Sequence, residues 1–279
     1  MAEITAEAVR ALRERTDLPM MECKKALAEA GGDQEKAVQI LKERVKGLKL
    51  KVADRMTSEG RVATLASADG SGAVMIEVQC ESAPVAKSED FLRLCDQLTK
   101  QLLNGPGAAS VDELLSQPCP DKPGQTLREL HEEVLNKIRE NIVIARLLKL
   151  NGPVAAYTHH DGTLGVLFQA EGGAGTHEVL RDVAMHIAAL SPAYCLPEQL
   201  PAAAVAAERE RLSAEAKASG KPEAIVAKMV DGKMRIYYSG EGVLTAQPFA
   251  KDDSKTVEAV LASAGHKAVG FTRWRLGRA

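Results

Sequence analysis

GRVATLASADGSGAVMIEV, residues 60–78, and GPVAAYTHHDGTLGVLFQA, residues 152–170, are two versions of one pattern. At a constant offset of 92, Gly60, Val62, Ala63, Asp69, Gly70 and Val74 coincide with Gly152, Val154, Ala155, Asp161, Gly162 and Val166. Each copy places an Asp-Gly pair between two apolar runs, which is the signal of a strand–turn–strand hairpin. Helical spacing comes next in both: Phe91, Leu92, Leu94 and Leu98 in the first, Val179, Leu180, Val183 and Ile187 in the second. A single sheet-plus-helix unit exposes an apolar face, so the two copies are expected to shield one another. Two copies are too few for a solenoid.

Upstream of the repeat, the first 45 or so residues predict three short helices. Thr5 caps the first, with Ile4 and Val9 as a staple around the cap. Pro19 opens the second and Gly31-Gly32 stops it, while Asp33 caps the third. Helices this short need one another, so a compact bundle is predicted. The lysine-rich stretch KERVKGLKLKVADR, residues 42–55, reads as a solvated helix end and linker. An RNA-binding arm is the other reading of that stretch, but it has no interleaved aromatics for stacking on bases.

Between the copies, Leu127, Leu130, Val134 and Ile138 predict a helix, and residues 142–150 a strand feeding the second copy. Beyond Pro197, AAAVAAERERLSAEAKA and the segment after Pro222 predict two helices separated by SGKPE, an antiparallel hairpin. Strands are predicted over 242–245 and 269–274. The fold class is α+β.

The chain has 279 residues, 45% hydrophobic and 27% charged, enough for two or three modules. With aromatics at 3%, the core must be built mainly of Ala, Val, Leu and Ile. A net charge of −2 gives no general attraction to nucleic acid or anionic membrane. No run of 18 apolar residues and no leader-like start occurs, so a cytoplasmic protein is expected. Cys23, Cys80, Cys95, Cys119 and Cys195 are scattered and form no CxxC pair, which supports neither a metal site nor a disulfide framework.

No catalytic constellation emerges from spacing. His159-His160 is the sole histidine pair, and on a strand its members point to opposite faces, which disfavours a shared metal. One of them is either a contact residue at a hairpin tip or a solvated imidazole. His186, on an apolar helix, reads as a hydrogen-bonded, half-buried residue. EGGAGTHE lacks the layout of a phosphate loop. Met20-Met21 is either core filler or an adaptable partner surface. No enzyme, metal, cofactor or small-molecule substrate is expected.

The stretch LRERTDLPMMECKKALAEAGGD, residues 12–33, resembles the N-terminal module of bacterial elongation factor Ts. The resemblance continues in order through VQCESAPVAK, KIRENI, AMHIAA, SGKPEAIVAKMVDGKM, LTAQPF and SKTVEAVL, across essentially the whole chain. It implies a ubiquitin-associated-like N-terminal bundle over 1–50 and a first core subdomain over 51–151. A second core subdomain would span 152–192 and 235–279, with a helical-hairpin insertion at 193–234.

It also implies guanine-nucleotide exchange on elongation factor Tu, by disturbing that partner's magnesium and phosphate site. By position, Arg13, Met20, Met21 and Lys24 fall where the family's N-terminal module meets the GTPase domain, and Ile138, Arg139 and His159 fall on core contacts. The hairpin falls where the family reaches a distal region of the partner. Ser82, Ala83, Pro84 and Val85 stand at the tip that intrudes beside the magnesium site. There the family usually carries Thr-Asp-Phe-Val, so this chain lacks the carboxylate and the aromatic wedge. Arg139 replaces a glycine of the family's KIGENI pattern, and Arg181-Asp182 stands where Lys-His is common. The alternative is an interaction or chaperone-like paralogue that binds the GTPase with weak or no exchange.

Overall fold

The computed structural model describes residues 4–16, 18–173, 177–218 and 220–278. The chain opens with α1 (Ala6–Thr16), α2 (Met20–Glu29) and α3 (Gln34–Val52). Thr5 Oγ1 accepts from the Ala8 N–H at 3.2 Å, and Asp33 accepts from Glu35 and Lys36 at the start of α3. Gly31 ends α2 because its φ of 64° lets the Gly32 N–H reach the Leu27 carbonyl at 2.9 Å, closing a Schellman motif. Val9, Leu12, Cys23, Ala26, Leu27 and Leu41 form the bundle's core. The sequence predicts a linker within 42–55, but α3 runs to Val52, whose side chain is fully buried.

The first copy is β1 (Glu59–Ala66), β2 (Gly72–Cys80), α4 (Ala83–Ala86), α5 (Glu89–Asn104), α6 (Val111–Leu115), β3 (Pro118–Cys119), β4 (Lys122–Thr126), α7 (Leu127–Ile138) and β5 (Val143–Asn151). The second begins with β6 (Val154–Thr158), β7 (Leu164–Gly172) and α8 (His177–Leu190). Two long helices come next, α9 (Ala202–Lys217) and α10 (Glu223–Gly240). The copy is then completed by β8 (Pro248–Phe249), β9 (Asp252–Thr256), α11 (Val257–Ser263) and β10 (His266–Arg275).

The sheets have orders β1-β2-β5 and β10-β7-β6, so each copy puts its second strand in the middle, between its first strand and its last. The small hairpins also match at an offset of 130. Pro118 faces Thr126 and Cys119 faces Lys122, as Pro248 faces Thr256 and Phe249 faces Asp252. The repeat therefore includes the two-residue strands, which are too short to leave a period in the sequence.

Residues up to Ala63, Ile76–Leu148 and Leu276 onward make one compact unit, and Thr64–Met75 with Lys149–Arg275 make another. The second unit's core gathers Val166, Phe168, Leu180, Val183, Ile187, Leu244, Phe249 and Val257. α9 and α10 form a helical hairpin with its own small core of Leu212, Ala216, Val226, Val230 and Met234. The strand predicted over 242–245 is absent. Leu244–Ala246 is a single 3-10 turn, with Val243 and Leu244 buried. A four-residue apolar run satisfies burial in either geometry, and here the chain is reversing direction after α10.

Candidate partner-contact site

Strand β2 is buried on both faces almost throughout and leaves the sheet at Cys80, whose thiol burial pushes up to about 11. The segment from Ser82 to Lys87 is tighter than a simple turn. Ser82, at φ −131°, precedes one helical turn in which the Ala86 N–H reaches the Ser82 carbonyl and the Lys87 N–H the Pro84 carbonyl, each at 3.2 Å. Pro84 sits in the first turn, where its missing N–H costs no intrahelical bond. Ala86 is buried, while Ala83 and Pro84 face solvent and Val85 is half-buried. Ser88 then caps α5 by accepting from Phe91. The tip is thus clamped between a sheet strand and a capped helix.

Three consecutive residues after α7 hold it from the side. Glu140 accepts from the Ser82 hydroxyl at 2.6 Å and from the Ser82 N–H at 3.1 Å. The Asn141 N–H donates to Glu81 at 2.6 Å, and its side-chain amide donates to the carbonyls of Ala53 and Arg55 beyond α3. Arg139 adopts φ 64°, in the left-handed region, and donates to Glu22 of α2 at 3.3 Å. Glu22 also accepts from Arg44, which in turn pairs with Glu29. A cavity of about 290 Å³ opens here, lined by Leu18, Glu22, Leu41, Arg44, Lys51 and Arg139 among others. Its two guanidinium groups are already engaged by carboxylates.

Of the residues singled out from sequence, this unit brings together the tip, Ile138, Arg139 and the N-terminal bundle. Ile138 is half-buried, and Arg13 and Lys24 are exposed. Met20 and Met21 are 52% and 63% exposed, which excludes the core-filling reading.

His159 belongs to the other unit. The opposite-face expectation for His159-His160 fails there. β6 ends at Thr158, His160 lies in the turn, and the two rings come within 4.3 Å of each other. Period-two alternation holds only while the chain stays in the strand. His159 Nδ1 lies 3.1 Å from the Tyr157 hydroxyl. Among the described residues no cluster of three or more His, Cys, Asp or Glu side chains could hold a metal.

His186 is buried outright rather than half-buried. Its Nδ1 accepts from the Ala250 N–H at 3.1 Å, so Nε2 carries the proton and donates to Gln247 at 3.0 Å. Burial lowers its pKa, and it serves packing. The five cysteines are free and buried, and burial raises Cys95 to about 12 and Cys195 to about 11. Buried away from solvent, they pack as small apolar side chains.

The tip is exposed and held at both ends, and Met20 and Met21 are exposed as well. The family model described as "Elongation factor TS" matches residues 81–278. An elongation factor Ts of Methylococcus capsulatus is 42% identical over 278 residues, 98% of this chain and 92% of the relative. The chain belongs to the elongation factor Ts family.

Further elongation factor Ts relatives include one from Aromatoleum aromaticum, 40% identical over 99% of this chain and 92% of its own. Another, from Paenarthrobacter aurescens, is 43% identical over 99% of this chain and all of its own length. Membership makes this chain a translation elongation factor. No described helix is long and apolar enough to cross a membrane. Sequence reading missed Glu22, Glu81 and Glu140, the carboxylates that fix this member's tip and bundle. Their partners lie 117, 60 and 58 residues away, and no local period signals such pairs.

Proposed function

We propose that this chain binds elongation factor Tu in its GDP form and speeds GDP release by disturbing the magnesium and phosphate site of that partner. The observation that carries the reading is the held tip: Ala83 and Pro84 are presented to solvent on one helical turn, fixed at both ends. Such a tip loses little freedom on docking, so more of its contact energy reaches the partner. An exchange factor must bind the nucleotide-free partner more tightly than the nucleotide-bound one, and linkage then makes nucleotide weaken the factor by the same ratio. That task needs wedges and anchors and no chemistry of the factor's own.

In this reading Ser82, Ala83, Pro84 and Val85 face the magnesium site, and Arg13, Met20, Met21 and Lys24 anchor on the GTPase domain. Ile138, Arg139 and His159 make further contacts, while α9–α10 reaches a distal region of the partner. The modules doing this are 1–50, 51–151, 152–192 with 235–279, and the insertion 193–234.

A second reading rests on the tip's composition. Ala83 and Pro84 supply neither a carboxylate nor an aromatic ring, which favours a partner-holding protein with little exchange. Stopped-flow release of labelled GDP from the cognate partner decides between them. The exchange reading expects acceleration by the native chain, whereas retained binding without acceleration establishes the holding role. Ala83→Asp with Pro84→Phe should raise activity about tenfold on a foreign partner adapted to an Asp-Phe tip, and less on the cognate one. Equal gains on both would mean that the native tip is a weakened wedge with no co-adapted partner.

A further inference from the structure

Ser82 occupies the N-cap position of α4, yet its side chain makes no cap bond. The hydroxyl is turned instead to Glu140, 58 residues on, which takes both of the hydrogen bonds Ser82 can donate. The neighbours of Glu140 tie down what surrounds the tip. Asn141 holds Glu81 and the carbonyls of Ala53 and Arg55, and Arg139 reaches Glu22 on α2. Arg139 keeps this arrangement at φ 64°, which is disfavoured for a side chain with a Cβ. The surrounding bonds outweigh that strain.

We propose that Glu140 is the positioning residue of the exchange tip. Its carboxylate sets where α4 leaves the sheet, and residues 139–141 fix the tip relative to the N-terminal helices α2 and α3. This rests on the exchange function proposed for the tip. A carboxylate accepting an O–H and an N–H from one residue defines both the place and the orientation of that residue. Glu140 does not touch the partner in this scheme. It acts through Ser82, so its loss should slow the exchange step while leaving the anchoring surfaces of α2 intact.

The test compares the native chain with Glu140→Ala, Glu140→Gln, Ser82→Ala and the Glu140→Ala/Ser82→Ala double variant. GDP release from elongation factor Tu is followed against factor concentration. Glu140→Ala should lower the maximal rate about tenfold, as expected for bonds to a charged group. The half-saturating concentration should change less than about twofold. Glu140→Gln, which keeps one acceptor, should fall between. The double variant should be no slower than Glu140→Ala, since Glu140→Ala already removes both bonds and Ser82→Ala removes only the hydroxyl's.

In parallel, amide exchange is measured in the free chain. Glu140→Ala should speed exchange at Ala86, Lys87 and Ser88, whose N–H groups close the helical turn, and leave the amides in the middle of α5 unchanged. Unchanged protection of the turn overturns the proposal whatever the partner does. So does a normal maximal rate, or a loss confined to the half-saturating concentration. If the native chain fails to accelerate release, the exchange reading itself is what fails, and the amide data still judge the positioning role.

Discussion

Asp69 in the first copy and Asp161 in the second close their hairpins in the same way. Asp69 accepts from the amide and hydroxyl of Ser71, and Asp161 from those of Thr163. Gly70 and Gly162 come next at φ 67° and 75°, where glycine carries no Cβ strain. The side-chain and backbone bonds of Ser71 hold Asp69 down to about 2, and those of Thr163 lower Asp161.

On this shared frame the copies differ at matched places. Ser67 becomes His159, and Glu77 becomes Gln169. On the core helices, where the offset falls to 89, Gln97 becomes His186. The three residues lost between offsets of 92 and 89 lie between the central strand and the helix, the interval that holds the tip in the first copy. The fold supplies the frame twice, and the copies diverge at a hairpin end, on the central strand and on the core helix.

The contrast is greatest at the central strands. Glu77 is buried and bonded to Arg146 at 2.7 Å, to the Gly277 N–H and to Gln79, whereas the uncharged Gln169 donates to the Asn151 carbonyl. Arg146→Met leaves a buried carboxylate without its counter-charge, so it should cost about 3 kcal/mol or more. Gln169→Met should cost about 1 kcal/mol. Urea unfolding monitored by circular dichroism would show it. Equal costs would mean that the two central strands are held alike.

The next largest effect separates Gln97 from His186. Both accept a backbone N–H from a small hairpin, Gln97 from Asp121 at 3.0 Å and His186 from Ala250 at 3.1 Å. Either truncation to Ala orphans that donor and should cost about 2 kcal/mol. Only the histidine titrates. Its folded pKa lies below the ordinary value of 6.5, so the unfolded chain binds the proton first. Its contribution is therefore complete above about pH 6.5 and is lost as pH falls toward the depressed folded value. His186→Gln should remove that part of the pH slope, and Gln97→Ala should leave it. A slope unchanged in His186→Gln would assign acid sensitivity elsewhere.

The smallest effect concerns the hairpin ends. His159→Ala should slow GDP release about tenfold, and His160→Ala about threefold because its ring packs on that of His159. Ser67→Ala in the other copy should leave GDP release unchanged but cost about 1 kcal/mol, because its hydroxyl accepts from the buried Gly72 N–H at 2.9 Å. Both histidine variants should leave stability within about 0.5 kcal/mol, read as the thermal midpoint. A collapse of the midpoint in His159→Ala would make the imidazole structural, and an inert His160 would mean that ring contact carries no function.

Local chemistry was enough to read the repeat, the caps at Thr5 and Asp33, the Gly31 stop and the long helices α5, α7 and α8. Each of these is decided within a few residues, by backbone sterics, side-chain capping or the period of apolar positions. The two-residue strands, the 3-10 turn at Leu244–Ala246 and the meeting of the histidine rings were decided only by the tertiary fold. In those places burial or chain reversal overrides a run too short to have a period. The holding of the tip by Glu140 was likewise invisible. A carboxylate 58 residues from Ser82 becomes its neighbour only when β5 has paired with β2 and α7 has packed on α5. Sequence determines which groups can bond, and the packed backbone decides which of them come within about 3 Å.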